Sequence, residues 1–307
     1  MKLQQLRYVT TVARQGMNVS DAAVILNTSQ PGVSKQISML EDELNVDIFV
    51  RSGKRLTGLT EPGQLICRIA ERMLREAQNV KRVAEEFTQE SNGSLVIATT
   101  HTQARYALPK IVQAFREQYP NVRLGLHQGN PVQIAEQVAS GDADIAIATE
   151  AMEGFDELVM LPCYSWNRSV IAPPGHPILE GRLTLERIAC YPIVTYDFAF
   201  TGRTLMNKAF EAQGLIPNVV LTAIDSDVIK TYVELGLGIG LVASMAFDPL
   251  RDKGLREVDA SHLFEPSTTH ITLRRGAYLR GFAFFFIELF APHLTRVEVE
   301  KAIGING

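Results

Sequence analysis

The sequence predicts a chain in two folded parts: a small, mainly α-helical N-terminal domain closed by a hairpin, then a long connecting helix and a larger α/β domain of two lobes. Three observations predict it. Apolar residues recur every three to four positions through residues 3–44 and again through 61–88. A short basic hairpin pattern separates those stretches. From residue 93 onward, β-branched runs of strand length alternate with helical stretches in two successive series.

Leu3, Leu6, Val9 and Ala13 form one face of a first helix. A second helix, from about Val19 to Leu26, turns Ala22, Ala23 and Leu26 inward, with Asn18 or Ser20 as its N-cap. Asn27 and Thr28 end it. A third helix opens at the N-cap Ser29, tolerates Pro31 in its first turn, and continues through Val33, Ile37, Leu40 and Leu44. Two short helices joined by a tight turn and braced by a first one make a helix-turn-helix. IFVRSGKRLTGLT (48–60) places two apolar segments around a Gly/Lys/Arg tip, the pattern of a β-hairpin wing. Thr60 suits the cap, and Pro62 the first turn, of a helix running to about Thr88. Its row of Ile66, Ile69, Met73, Ala77, Val80, Ala84 and Phe87 predicts a helix-to-helix seam and so a dimer. The alternative is one long helix packed on its own domain.

LVIATT (95–100), VRLGLHQ (122–128) and ADIAIAT (143–149) are expected strands, with helices at 104–118 and 131–140. PIVTY (192–196), NVVLTAI (218–224) and the run 238–244 form the second series. This alternation predicts two parallel sheets, each covered on both faces. A strand near 269–275 and a helix at 279–290, with Phe282 and Phe284 to Phe286 in its core, are expected to return to the first lobe. The expected divisions are 1–59, 60–90 and 91–307. Within the last, lobe I covers about 91–163 and 267–307, and lobe II about 164–266.

The chain has 307 residues, 46% hydrophobic and 21% charged, as in a globular protein of several domains. It has no apolar run of membrane-spanning length and no signal-peptide pattern, so a cytoplasmic location away from membranes is expected. The net charge of −4 is unevenly spread. Residues 1–58 carry seven basic and five acidic groups, whereas 91–307 carry 18 and 23. That permits DNA binding at the N-terminus without establishing it. Cys67, Cys163 and Cys190 are too far apart for a disulfide framework or metal site and are expected to be reduced, in packing roles. Neither a nucleophile–base–orienter set nor a carboxylate pair with matched surroundings emerges, so no enzyme and no cofactor is expected. His101 and His127 lack metal-ligand spacing. GLGIG (236–240) follows a helix and enters a strand, the reverse of a dinucleotide-binding turn.

The segment MNVSDAAVILNTSQPGVSKQISMLEDELNVDIFVRSGKRLTGLTEPG (17–63) resembles the winged helix-turn-helix of LysR-type transcriptional regulators. TTHTQARYALP (99–109), HQGNPVQIAEQVASGDADIAIATEAM (127–152), FTGRT (200–204) and DSDVIKTYVELGLGIGLVASMA (225–246) resemble the CysB/Cbl branch of that family. The resemblance spans essentially the whole chain. It implies a two-lobed effector domain of periplasmic-binding-protein type behind the DNA-binding head. It further implies promoter DNA and RNA polymerase as partners, a homotetramer, and control of sulfur-metabolism genes, with cysteine-regulon and sulfonate-use roles both open. The chain ends at Gly307, so contacts made by a longer tail in some relatives are not expected.

A recognition helix presents short polar side chains to base edges in the major groove. Gln30, Ser34 and Lys35 are candidates for base reading, Pro31 for a thymine methyl and Ser29 for a phosphate. In the wing, Arg51, Lys54 and Arg55 suit phosphate or minor-groove contact. In the C-terminal domain, hydroxyls and free N–H groups at helix starts suit a small oxyanion. The resemblance assigns an anionic effector (sulfate, O-acetylserine, N-acetylserine or adenylyl sulfate) to Thr100, Thr102, Gln103, Thr149 and Thr201. Gly129 to Pro131 and Ser165-Trp166 are further candidates for lining the cleft. Helix capping alone is the competing reading for the threonines, and also accounts for Asp225 and Asp227. A solute-binding protein is the competing function, but it gives residues 1–59 no role.

Overall fold

The computed structural model describes residues 1–53, 55–88, 92–149, 154–197 and 201–304, with backbone alone at 88 and 201–203. The chain divides into two compact units, Met1–Ala84 and Glu85–Gly307.

In the first unit, α1 (Leu3–Arg14), α2 (Val19–Ile25) and α3 (Gln30–Leu44) precede the hairpin of β1 (Phe49–Ser52) and β2 (Arg55–Leu59), and α4 (Glu61–Thr88) follows. Asn18 caps α2 by accepting from the amides of Ser20 and Asp21, which settles the choice between Asn18 and Ser20. Ser29 caps α3 through the Gly32 amide at 3.3 Å. Leu6, Val9, Val12, Ala22, Ala23, Val33, Ile37, Leu40, Ile48 and Phe49 make the core. Leu3 and Leu44 were expected inside but are exposed, at the first and last turns of their helices.

Two rows of α4 do different work. Gly63, Cys67 and Ala70 are buried, and Ile66 and Leu74 pack beside them on the core of the helix-turn-helix. Gly63 permits that approach, because a Cβ there would lie 2.0 Å from the Ile48 carbonyl oxygen. Ile69, Met73, Val80 and Phe87, from the row predicted to form a seam, are exposed, Phe87 at 84%.

The second unit holds two five-stranded sheets. β3 (Gly93–Thr99), α5 (Leu108–Gln118), β4 (Val122–Gln128), α6 (Pro131–Ser140), β5 (Ile145–Ala148) and β6 (Leu158–Trp166) build lobe I. β7 (Arg168–Ala172), α7 (Leu185–Ala189), β8 (Ile193–Tyr196), α8 (Thr201–Glu211), β9 (Val219–Ala223), α9 (Ser226–Glu234), β10 (Ile239–Ala243) and β11 (Arg256–Asp259) build lobe II. β12 (Ser267–Arg274), α10 (Gly281–Phe290) and α11 (Arg296–Ile303) return to lobe I. The sheet orders are β4-β3-β5-β12-β6 and β11-β7-β10-β8-β9.

Both sheets are mixed, which corrects the expectation of parallel ones. β3 runs parallel to β4 and β5, and β8 to β9 and β10. β12 lies antiparallel between β5 and β6, and β7 antiparallel between β10 and β11. The strands entering from the other lobe arrive without an intervening crossover helix, so nothing forces them parallel. β6 keeps to the first sheet through Trp166, three residues beyond the division read from the sequence. The chain then crosses at Asn167 and returns just before Ser267. Asn167 pins the two crossings together, its amide donating to the carbonyls of Ser261 (3.2 Å) and Phe264 (3.1 Å).

Each sheet is covered on both faces, as strands with apolar residues on both sides require. Leu95, Ile97, Phe115, Ile271, Phe282 and Phe286 cluster on one face of sheet I, and Ile134, Ala135, Val138 and Ala146 on the other. Phe282, Phe284 and Phe286 are buried as expected, whereas Phe285 is only partly covered. Cys67 is buried and Cys163 half-buried, but Cys190 is exposed. Its thiol meets the Glu186 carbonyl at the helix end, so the packing role expected for it does not hold.

Candidate functional site

The N-terminal unit presents α3 with Val33, Ile37 and Leu40 inward and Gln30, Pro31, Ser34 and Lys35 exposed. Ser29 is exposed beside them as the cap. This is the disposition a recognition helix needs, with short polar groups in its first two turns. In the wing, Arg55 is exposed, and Lys54 lies outside the described residues. Arg51 is committed within the domain. Its guanidinium pairs with the Glu41 carboxylate and stands 3.6 Å from Asp47. The hydrogen bond that Arg51 donates to Glu41 outweighs burial and raises the Arg51 pKa. Arg51 therefore holds the base of the wing, a role the sequence reading did not give it.

In lobe I, parallel strands bring the C-terminal ends of β3 and β5 side by side, with Thr99 registered against Ile147. Thr100 and Thr149 follow those ends. A π-helical turn, Gln103–Ala107, opens just after Thr102. Gln103 is 1% exposed. Its amide nitrogen donates to Thr269 Oγ1 at 3.0 Å, and its carbonyl oxygen accepts from the Tyr164 hydroxyl at 2.5 Å. The Trp166 indole donates to both Thr149 Oγ1 (3.3 Å) and Thr269 Oγ1 (3.2 Å). Thr149, Trp166, Thr269, Gln103 and Tyr164 are thus one connected network of polar groups on an apolar base. Ser165, on the same strand as Trp166, pairs instead with Thr268 at 3.2 Å and is exposed. Asn130 caps α6, and the Gly129 amide bonds the Thr99 carbonyl.

Lobe II faces this network with Tyr196 at the end of β8 and Ser226 at the start of α9, their hydroxyls 2.6 Å apart. Thr102 reaches across to hydrogen-bond the Tyr196 hydroxyl. Thr201 begins α8, and its side chain lies outside the described residues. Four of the five predicted effector residues, Thr100, Thr102, Gln103 and Thr149, therefore sit around the end of sheet I. Only the helix start that carries the fifth is described.

Asp225 behaves as expected and caps α9 through the Val228 amide at 2.8 Å. Asp227 does not merely cap. Its carboxylate accepts from the Tyr106 hydroxyl (2.6 Å) and pairs with Arg105 (3.3 Å) and Lys230 (3.2 Å), with His101 Nε2 at 3.9 Å. Three of those partners belong to lobe I, so the contact is a latch between lobes. Burial works against the charge on Asp227. Hydrogen bonds from Tyr106 and Lys230, with the Lys230 and Arg105 charges, outweigh it and hold the carboxyl below its ordinary range. Burial, helped by the Asp227 bond, pushes the Tyr106 hydroxyl up to about 12. The sequence reading took Asp227 for a cap and missed its contact with the other lobe, and it missed Tyr106, Thr269 and Tyr196, whose partners are remote in the chain. Arg105 and Tyr106 reach the other lobe from the π-helical turn that ends the TTHTQARY segment. Asp227→Ala is expected to weaken an effector that favours the closed lobes about fivefold, the effect of roughly 1 kcal/mol for a half-exposed latch. Titration calorimetry of the variant against the native protein checks this. Unchanged affinity would remove the latch from the account.

The comparisons with known proteins decide the family. The LysR substrate binding domain matches residues 88–295, and the bacterial regulatory helix-turn-helix of the lysR family matches 3–64. The chain belongs to the LysR family. It is 57% identical to the HTH-type transcriptional regulator SsuR of Burkholderia cenocepacia over 97% of each chain. It is 50% identical to the HTH-type transcriptional regulator CysB of the same organism, over 99% of this chain and 97% of that one. Among solved structures, the cofactor-binding domain of the Cbl transcriptional regulator matches with a TM-score of 0.67 at 44% identity, covering 70% of this chain and 95% of that domain. This LysR protein falls in the CysB/Cbl branch and is a DNA-binding transcription regulator with an effector-binding domain. Its N-terminal unit is accordingly a lysR-type helix-turn-helix head, and the two-sheet unit its effector domain.

Proposed function

We propose that this LysR regulator controls genes of sulfur metabolism, for cysteine biosynthesis or for sulfonate use under sulfate starvation. It acts in the cytoplasm through binding rather than catalysis. A small anionic effector such as sulfate, an acetylserine or adenylyl sulfate seats at the end of the first sheet, on Thr100, Thr102, Gln103 and Thr149, with Thr201 contributed from the start of α8. The observation that carries the reading is the Thr149–Trp166–Thr269–Gln103–Tyr164 network, facing Tyr196 and Ser226 at the ends of the strands. Clefts of this kind recognise anions through neutral donors fixed in place. A ligand that bridges the lobes stabilises their closed arrangement by its differential affinity for it. That shift is what the rest of the oligomer reads.

Calorimetric titration of the full chain with sulfate, O-acetylserine, N-acetylserine and adenylyl sulfate tests the effector reading. Heat from none of the four would end it.

At the head, Lys35→Ala is expected to weaken binding to the operator about tenfold or more while hardly changing affinity for random DNA. Arg55→Ala should act on both alike and lower the salt slope by about one. Fluorescence anisotropy at several salt concentrations separates the two. Equal losses on both DNAs for Lys35→Ala would take base reading away from it.

The regulator forms oligomers, as its family does. The exposed row Ile69, Met73, Val80 and Phe87 of α4 supports a dimer through the linker helix. Leu126 and Val132 on lobe I, with Val220, Val228 and Leu235 on lobe II, are exposed apolar side chains that support a second contact and so a tetramer. RNA polymerase is the partner through which such an assembly would act on a promoter.

A further inference from the structure

Arg168 stands at the first crossing between the lobes and is 3% exposed. Among the described residues no carboxylate pairs with it. Its guanidinium donates to the Glu265 carbonyl at 3.0 Å and to Ser267 Oγ at 2.8 Å, both neutral acceptors on the return crossing. The rings of Trp166 and Phe264 lie 5.5 and 5.9 Å away. Burial pushes the Arg168 pKa down to about 10, with Tyr196 acting in the opposite direction, so the group is still cationic at neutral pH.

A buried charge is costly when nothing of opposite sign offsets it. Two other buried cations of this unit obey that rule. Lys230 has Asp252 at 3.0 Å, and Arg280 has Glu86 at 3.3 Å. Arg168 is unlike them, and its neighbours are effector-site residues. Trp166, stacked on it, donates to Thr149. Tyr196, the titratable group that feels its charge, is bonded to Thr102. The cleft therefore has a fixed positive charge behind its neutral donors, at low dielectric, where its field is weakly screened.

We propose that Arg168 is the charge-selecting positioning residue of the effector cleft: it touches no ligand, yet makes the cleft prefer a full anion such as sulfate to a zwitterion of no net charge such as O-acetylserine. The bound anion supplies the counter-charge that the fold omits. Sequence reading gave the cleft only neutral donors, and the buried guanidinium changes what those donors select. This rests on the cleft being the effector site.

The test compares native protein with Arg168→Met and Arg168→Lys by calorimetric titration with sulfate and with O-acetylserine, after melting curves establish that each variant is folded. Arg168→Met is expected to lose about tenfold or more in sulfate affinity and less than about twofold in O-acetylserine affinity, while Arg168→Lys stays within about threefold of native for sulfate. Equal losses for both ligands, or a Lys variant as weak as the Met variant, would make Arg168 a structural prop and overturn the inference. So would undiminished sulfate binding by Arg168→Met, with the cleft reading left intact. If native protein binds no sulfate, the preference is refuted; if it binds none of the four effectors, the cleft reading falls with it.

Discussion

Glu41→Ala is expected to cost the N-terminal domain about 3 kcal/mol and, with it, most of its affinity for DNA. Glu41 is 6% exposed on α3. Its Oε1 accepts from the backbone amides of Ile48 (2.8 Å) and Phe49 (3.2 Å), where the chain enters the wing. Arg51 closes over the same carboxylate. Removal strands two buried amides, each costing about 1–3 kcal/mol, so the backbone bonds and not the ion pair dominate. Arg51 is partly exposed, and an ion pair in that setting contributes roughly 1 kcal/mol or less. Arg51→Ala should accordingly be far milder than Glu41→Ala. Glu41→Gln, which keeps an acceptor for the amides, should fall between them. Hydrogen exchange of peptides spanning residues 45–60 reads the local opening energy directly. A Glu41→Ala protein that exchanges there at the native rate would refute this account of the wing.

Gln103→Met should be the most damaging single change in the effector cleft. The replacement fits the volume but can neither accept from Tyr164 nor donate to Thr269. Both partners are themselves covered: Thr269 is fully buried, and burial raises the Tyr164 hydroxyl pKa. Thr269 keeps its bond from Trp166, so the loss of two buried hydrogen bonds costs roughly 1–3 kcal/mol in the effector domain. The anion would also lose the amide proton that Thr269 leaves free, with sulfate affinity expected to fall about thirtyfold or more. Trp166 is the single tryptophan of the chain, and its indole N–H belongs to the same network. Its fluorescence therefore reports both events, in urea denaturation and in sulfate titration. Native emission and native sulfate affinity in Gln103→Met would mean that the network does not shape the site.

The helices of the head and the βα alternation were legible because their signals are local. Asn18 and Ser29 cap helices whose inward residues recur with the helical period. The same locality explains what was not legible. β6 leads to β7 through one residue, Asn167, and no composition shift marks the crossing. β12 reads as a strand, but its direction depends on entering from the other lobe. On α4 the period showed a stripe without telling which of two stripes faces its own domain; Gly63, Cys67 and Ala70 do. For the cleft, Thr100, Thr102, Gln103 and Thr149 came from the family resemblance. Capping chemistry does not distinguish an anion-binding hydroxyl from an ordinary N-cap. Asp225 and Asp227 show the limit, since one caps and the other latches although both open the same helix. Arg168 was invisible as a buried charge because burial depends on Trp166 and Phe264, almost a hundred positions apart in the chain.

The paired crossings at Asn167 and Glu265–Ser267 act as an axle. Asn167 and Arg168 bolt both passages to each other through four hydrogen bonds, so a rotation of the lobes would turn about that line. Rotation moves atoms in proportion to their distance from the axle. Trp166 and Arg168 lie beside it, whereas the Asp227–Tyr106 contact is made elsewhere, by the start of α9 and the turn that follows β3. Trp166 can therefore stay rigid at the pivot under such a rotation, and any displacement would grow with distance from it.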